Sequence, residues 1–320
     1  MIELFKSPNY DFIGKRKWAY IISIAFTLIS LLTLAVRGGL RYDLDFTGGT
    51  LIQVRFEQVP TVAKIRASLG KIHLGESVIQ EFGDNHEYII RLPLIEAVGS
   101  EEISRRVQGA LGSDPSLGKF EIRRVEFVGP QVGRELQLQA VYLVLAGLVW
   151  IAIYLAFRFD LRGGVTAVVA VCHDVIVCLG ALSITNREFS LPVLAALLTI
   201  IGYSVNDTIV AYDRLRENRG KTSARGRPFA DQMNDAVNQT LSRTVLTALT
   251  VFFSTAILLF FGGKTLEDFA FVLFVGVITG TYSTTYVAAA LVVDWTLYVE
   301  GRTGVRKKTV AKAGEARKIT

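Results

Sequence analysis

The stretch "IIGYSVNDTIVAYDRLREN", residues 200–218, opens as an apolar helix and closes as a charged one. Asp207 lies in its apolar part, with Asn206 beside it. A carboxyl group in hydrocarbon is disfavoured by at least about 2.5 kcal/mol, and acids inside membrane segments mark function by default. The reading of the chain therefore turns on whether this stretch spans a bilayer.

Composition says that it does. The 320 residues are 51% hydrophobic and 20% charged, with a mean hydropathy of +0.39. About 20 consecutive apolar residues cross a bilayer as a helix. Six runs qualify: Trp18–Val36, Leu138–Phe157, Val165–Ile184, Leu191–Tyr212, Val245–Phe261 and Phe269–Tyr298. The first follows Lys15, Arg16 and Lys17 as a signal peptide would, but its apolar core is too long and no small-residue cleavage site follows. It reads as an uncleaved span.

Basic residues alternate between loops. Lys6, Lys15, Arg16 and Lys17 precede span one, and Arg158 and Arg162 join spans two and three. Arg214, Arg216, Arg219, Lys221, Arg225 and Arg227 join spans four and five, and Arg306, Lys307, Lys308, Lys312, Arg317 and Lys318 follow span six. The short loops on the other side hold Arg187 and Lys264. The positive-inside rule places both termini in the cytoplasm and the long segment after span one outside, since long domains cross regardless of charge. The expected organisation is a cytoplasmic segment 1–17, a span 18–36, an external domain 37–137, a bundle of five spans 138–298 and a basic tail 299–320.

The external segment alternates between two periods. "LIQVRF" has the strand period at Ile52, Val54 and Phe56, and "VAKIRASLG" has helical spacing at Val62, Ile65 and Leu69. "SVIQEF" and "EYIIRLPL" read as strands joined at "GDNH", "SEEISRRVQGALG" as a helix from Ser100 to Gly112, and "KFEIRRVEFV" as a last strand. Strand, helix, strand, strand, helix, strand is the ferredoxin-like order. The predicted fold class is a membrane protein with six transmembrane helices and an external α+β ferredoxin-like domain.

Motifs for soluble chemistry are missing from the sequence. His73, His86 and His173 have no metal-ligand spacing with one another or with cysteine. No phosphate-binding loop, nucleophile elbow or dinucleotide fingerprint occurs. Cys172 and Cys178 lie about 9 Å apart along one helix, too far for a disulfide, and read as packing residues. The basic tail suits topology and anionic lipid better than nucleic acid. The chain is expected to be no enzyme and to hold no metal or cofactor.

Polar residues within the spans remain. Tyr203, Asn206 and Asp207 share span four, which leaves the membrane through Asp213 and Arg214. Gly202, four residues before Asn206, would admit a close neighbouring helix. Arg243, Thr247, Thr250 and Ser254 form one stripe of span five, Gly276, Gly280, Ser283 and Tyr286 one face of span six, and His173–Asp174 a pair in span three. Each has a plainer reading. Hydroxyls in membrane helices bond their own preceding turn or join two helices. His173–Asp174 reads either as a satisfied pair or as part of a site. Asp213, Arg214, Arg216 and Glu217 read as a helix leaving the bilayer through i,i+3 and i,i+4 ion pairs. Desolvation favours the neutral form of Asp207 and the Arg243 cation favours the charged form, so a reversible Asp207–Arg243 pair is expected, with the proton deciding whether it exists.

Several motifs together resemble a known family. "DLDFTGGT" (43–50), "GYSVNDTIVAYDRLREN" (202–218), "QTLSRTVLTALT" (239–250), "YDFIGKRKWAY" (10–20) and "HDV" (173–175) are similar to SecF, a membrane subunit family of bacterial protein export related to resistance-nodulation-division transporters. The resemblance covers nearly the whole chain except the basic tail. It implies a bacterial cytoplasmic-membrane protein that pairs with SecD and works with the SecYEG channel on unfolded preproteins, with YajC and YidC as further partners and protons as the coupling ion. It implies a proton relay at Asp207 and Arg243, with Tyr203, Asn206, Thr247, Thr250, His173 and Asp174 around them, and a motif after span one at Asp45, Phe46, Thr47, Gly48 and Gly49. Two other readings stay open: an assembly subunit whose polar spans only hold it to SecD, and a proton-driven exporter of small molecules or lipids.

Overall fold

The computed structural model describes residues 5, 8–82, 86–93, 100–221 and 226–303. The expected "GDNH" turn, apart from His86, and the basic tail beyond Thr303 lie outside them. Among the described residues, six helical rods are long and apolar enough to cross a membrane. They are α1 (Arg16–Val36), α5 (Pro130–Arg158), α6 (Leu161–Ile184), α7 (Leu191–Arg219), α8 (Phe229–Phe261) and a last rod of α9 (Lys264–Tyr282), a π-helical turn (Ser283–Ala288) and α10 (Ala289–Thr303).

Two rods begin well before their apolar runs. α8 begins at Phe229, sixteen residues before the apolar run at Val245, and α5 begins at Pro130, eight before Leu138. Hydropathy reports where a helix meets lipid, whereas its ends follow backbone capping. Pro130 and Pro192 supply first-turn residues whose missing N–H is not needed, and Asp160 and Ser190 cap α6 and α7 by accepting from the Gly163 and Val193 amides at 3.1 and 3.4 Å.

Between α1 and α5 the chain forms β1 (Arg41–Tyr42), α2 (Leu44–Thr47), β2 (Gly49–Phe56), α3 (Val62–Gly70), β3 (Val78–Phe82), β4 (Glu87–Leu92), α4 (Ser100–Gly112) and β5 (Phe120–Val128). The four-stranded sheet runs β3-β4-β2-β5, antiparallel throughout, which is the ferredoxin-like order. Register places Ile52 between Ile90 and Val125. The alternation of β2 sends Ile52, Val54 and Phe56 to one face, where they pack with Ile65 and Leu69 of α3 and Val107 and Leu111 of α4. The opposite face is left more open.

A short joint ties this domain to the bundle. β1 pairs in parallel with β6 (Glu188–Phe189), in the loop between α6 and α7. Phe46 packs against Phe189 at a centroid distance of 5.3 Å and belongs to the core of the bundle, not that of the α+β domain. Arg91 at the end of β4 bridges Asp43 (3.1 Å) and Glu188, which also binds Arg41 at 2.9 Å. Arg187 continues the chain of charges to Glu267 (2.8 Å) and Asp268 (2.7 Å) at the start of α9.

Candidate intramembrane site

α6, α7 and the last rod meet around Asp174, which is fully buried (0% exposed). Its Oδ1 lies 3.1 Å from His173 Nδ1, and its Oδ2 accepts from Ser204 Oγ at 2.6 Å and Ser283 Oγ at 2.7 Å. One turn further along α7, Thr208 and Thr284 share a hydrogen bond at 3.0 Å, and Thr284 also donates to the Ser204 carbonyl at 3.3 Å. Four hydroxyls therefore knit three helices around one acid. Hydrogen bonds of this kind contribute about 0.5–1.5 kcal/mol each, and leaving one of their buried groups unpaired costs about 1–3 kcal/mol.

Glycine brings these helices together. A Cβ on Gly276 would run into the Ile200 side chain, and one on Gly280 would lie 3.3 Å from Ser204 Cβ. Small residues on the last rod let α7 approach until Ser204 and Ser283 both reach Asp174. Gly202, expected to serve that purpose, has nothing within 4 Å of its would-be Cβ and is exposed, because it points away from the last rod.

Asp207 is buried to 3% exposure, and its Oδ2 has no hydrogen-bond partner among the described residues. Arg243 is the one charged group among the described residues whose field acts on it. The two form no ion pair within 4.0 Å, so the expected direct pair is absent. Arg243 sits on an exposed face of α8. The buried Tyr203 hydroxyl lies beside Thr247 without a well-formed hydrogen bond among the described residues. Asn206 is exposed.

The hydroxyl stripe of α8 takes its plainer reading. Thr247 donates to the Arg243 carbonyl at 3.0 Å, Thr250 to that of Thr247 at 2.7 Å and Ser254 to that of Thr250 at 2.9 Å. At the far end of α7, Asp213 pairs with Arg158 of α5 at 2.7 Å, and Arg214 binds Glu217 and Gln239, each at 2.7 Å. Of the expected i,i+3 and i,i+4 pairs, Arg214–Glu217 forms at i,i+3 and Glu217 pairs with Lys221 at i,i+4 (3.0 Å), while Asp213 pairs instead with another helix.

The segment after span one makes a tight turn braced by its own bonds and by α5. Asp43 caps α2 at the Leu44 amide (2.7 Å), and Thr47 donates to the Asp43 carbonyl at 3.1 Å. Gly48 and Gly49 take φ of 72° and 136°, which frees the chain to turn from α2 into β2. Gln137 of α5 donates to the Phe46 carbonyl at 2.7 Å, and Gly133 passes so close that a Cβ would lie 2.9 Å from that oxygen. Burial, and then the charge of Asp43, raise the Asp45 carboxyl above its ordinary range.

Ser204, Thr208 and Thr284 were not among the expected site residues. Their signal in the sequence is the spacing of Ser204 and Thr208 at i,i+4 and the run "STT" (283–285) inside an apolar span.

These features define a multi-pass membrane protein with a ferredoxin-like insertion and a buried acid network at a three-helix junction. Residues 113–297 match the model of the protein export membrane protein SecD/SecF C-terminal family, and residues 37–58 match the SecD/SecF GG motif. The chain is 43% identical over 292 residues to the protein translocase subunit SecF of Calditerrivibrio nitroreducens, covering 91% of this chain and 96% of that protein. It is 42% identical over 315 residues to SecF of Magnetococcus marinus, covering 97% of each. The crystal structure of SecDF from Thermus thermophilus, described as a translocon-associated membrane protein, superposes with a TM-score of 0.78 at 39% identity over 90% of this chain. The chain spans about two fifths of that SecDF polypeptide, 39% of its length. The chain belongs to the SecF family of protein translocase subunits.

Proposed function

We propose that this subunit pairs with a SecD-type partner and couples proton entry at Asp207 to a late stage of preprotein export through a SecYEG-type channel, with no other cofactor and no catalysis of a covalent step. YajC- and YidC-type proteins are further proposed partners. Both termini face the cytoplasm in this reading, and the α+β domain lies outside. The supporting observation is the contrast between two buried acids. Asp174 has its donors in place, while Asp207 keeps one oxygen unpartnered among the described residues, within the field of an exposed guanidinium.

An acid so placed is free to change protonation state. Charged, Asp207 draws Arg243 inward across the α7–α8 contact. Protonated, it releases Arg243, and the contact has a second arrangement available. One charge crossing the membrane gains about 2.3 kcal/mol per 100 mV, enough to bias such a two-state element.

The test is preprotein release from spheroplasted membranes with and without a proton gradient. Asp207→Asn should assemble with its partner at normal levels and lose the gradient-dependent part of release, since Asn keeps the volume but does not titrate. Release that still responds fully to the gradient would sink the relay. Cysteine labelling at Glu76 and Ser113 from the outer face tests the orientation separately, and labelling only from the cytoplasm would reverse it.

A further inference from the structure

At the end of the bundle where α1 begins and α10 ends, a cavity of about 710 Å³ opens between the α5–α6 turn, the last turns of α7, the start of α8 and α10. Arg158, Arg216 and Arg219 line it. Arg158 is held by Asp213 at 2.7 Å. Arg216 and Arg219 have no carboxylate within 4.0 Å among the described residues, and Arg219 rests over the Phe229 ring at 5.4 Å. The carboxylate on the wall, Asp160, is already engaged in capping α6 at the Gly163 amide. The cavity thus presents two guanidiniums with free donors.

Its mouth is apolar and faces outward. Phe157 is 90% exposed and Leu161 69%, and Trp150, two turns back along α5, is 70% exposed. The cationic recess, which Phe157 also lines, thus adjoins an exposed apolar track along α5. Guanidiniums bind phosphate oxygens through paired N–H donors. A free phosphate would have no use for the apolar track. A zwitterionic lipid would bring its own ammonium against the arginines.

We propose that this cavity binds the phosphodiester headgroup of an anionic phospholipid, with its acyl chains laid along the exposed face of α5. Bound there, the lipid fixes the last turns of the helix that carries Asp207, three turns before Arg219. Assigning it to the inner leaflet rests on the orientation proposed above; the binding itself does not, so labelling and lipid binding can fail independently.

The full chain is placed in nanodiscs of phosphatidylcholine with a minor share of phosphatidylglycerol, then extracted, and retained lipid is counted by native mass spectrometry. The unmodified chain should retain phosphatidylglycerol in preference to phosphatidylcholine. Arg216→Gln/Arg219→Gln should weaken that retention by roughly thirtyfold, the product expected for two interfacial cations. Lys15→Gln/Lys17→Gln, which removes the same charge from the same end outside the cavity, should leave it unchanged. Brominated lipids provide a second reading in a chain with Trp18→Phe and Trp295→Phe. Brominated phosphatidylglycerol should quench Trp150 more than brominated phosphatidylcholine does, with Arg216 and Arg219 intact. Equal retention by the double variant overturns the proposal, as does equal quenching by the two lipids. Displacement of the lipid by inorganic phosphate also overturns it, since the arginines would then serve a free anion.

Discussion

Ser283 donates to Asp174 across 2.7 Å at the first residue of the π-helical turn in the last rod. The next residue, Thr284, bonds to α7 through Thr208 and the Ser204 carbonyl. Consecutive side chains therefore engage two neighbouring helices. A π turn inserts a residue into an α-helix and occurs often at functional sites. Here it sits against the most completely buried acid of the bundle.

Removing the two buried acids should have unequal consequences for stability. Asp174→Ala strands the Ser204 and Ser283 donors and the His173 ring in a dry core, and should lower stability by about 3 kcal/mol. Asp207→Ala removes a carboxyl group with an unpartnered oxygen, and should change stability by less than about 1 kcal/mol in either direction. Unfolding midpoints in detergent distinguish them. A larger loss for Asp207→Ala would show that an unrecognised partner holds Asp207.

Two glycine substitutions separate close packing from open space. Gly133→Ala forces a methyl group against the Phe46 carbonyl and should destabilise by about 1–3 kcal/mol. Gly202→Ala meets nothing within 4 Å and adds helix propensity, so it should be neutral or slightly stabilising in the isolated subunit. If Gly202→Ala nonetheless blocks assembly with a partner, that exposed face of α7 is where the partner packs.

Arg91 sets how the α+β domain stands on the bundle. Arg91→Gln removes the bridge from β4 to Asp43 and Glu188 while leaving the domain's own core untouched. Spin labels at Ser113 and Lys264 should report a broader distance distribution in the variant, with the secondary structure unchanged. An unaltered distribution would assign the joint to the Phe46–Phe189 contact and the β1–β6 pairing instead.

Acid should weaken the α+β domain through Asp114. Hydrogen bonds from Ser68 (2.7 Å) and from the Ser116 side chain and amide hold its carboxyl well below the ordinary value of 3.8. A depressed folded-state value means that stability is fully present above the unfolded value and is lost as pH falls through the folded one. Residues 41–137 have a closed core and should fold alone with mixed helix and strand content by circular dichroism. The melting temperature of that fragment should fall below pH 4, roughly, and Asp114→Asn should flatten the fall. An equally steep fall in the variant would place the acid sensitivity on another carboxylate.

The six spans, the insertion and its strand and helix order were legible in the sequence because each rests on a local period. Apolar runs must be long to cross lipid, Ile52, Val54 and Phe56 alternate as one face of a sheet, and Ile65 and Leu69 lie four apart on one face of a helix. Asp207 was legible for the same reason, as a charge set in an apolar run. Periodicity gives one helix's faces but not which neighbour each face meets. The tertiary structure therefore decided that Ser204 and Ser283 converge on Asp174. It also decided that Gly276 and Gly280 provide the close approach in place of Gly202. And it left Asp207 and Arg243 near one another without a salt bridge, because Arg243 sits on an exposed face of α8 while Asp207 is buried in α7. The residue types came from the sequence, and the distances between them came from how the helices pack.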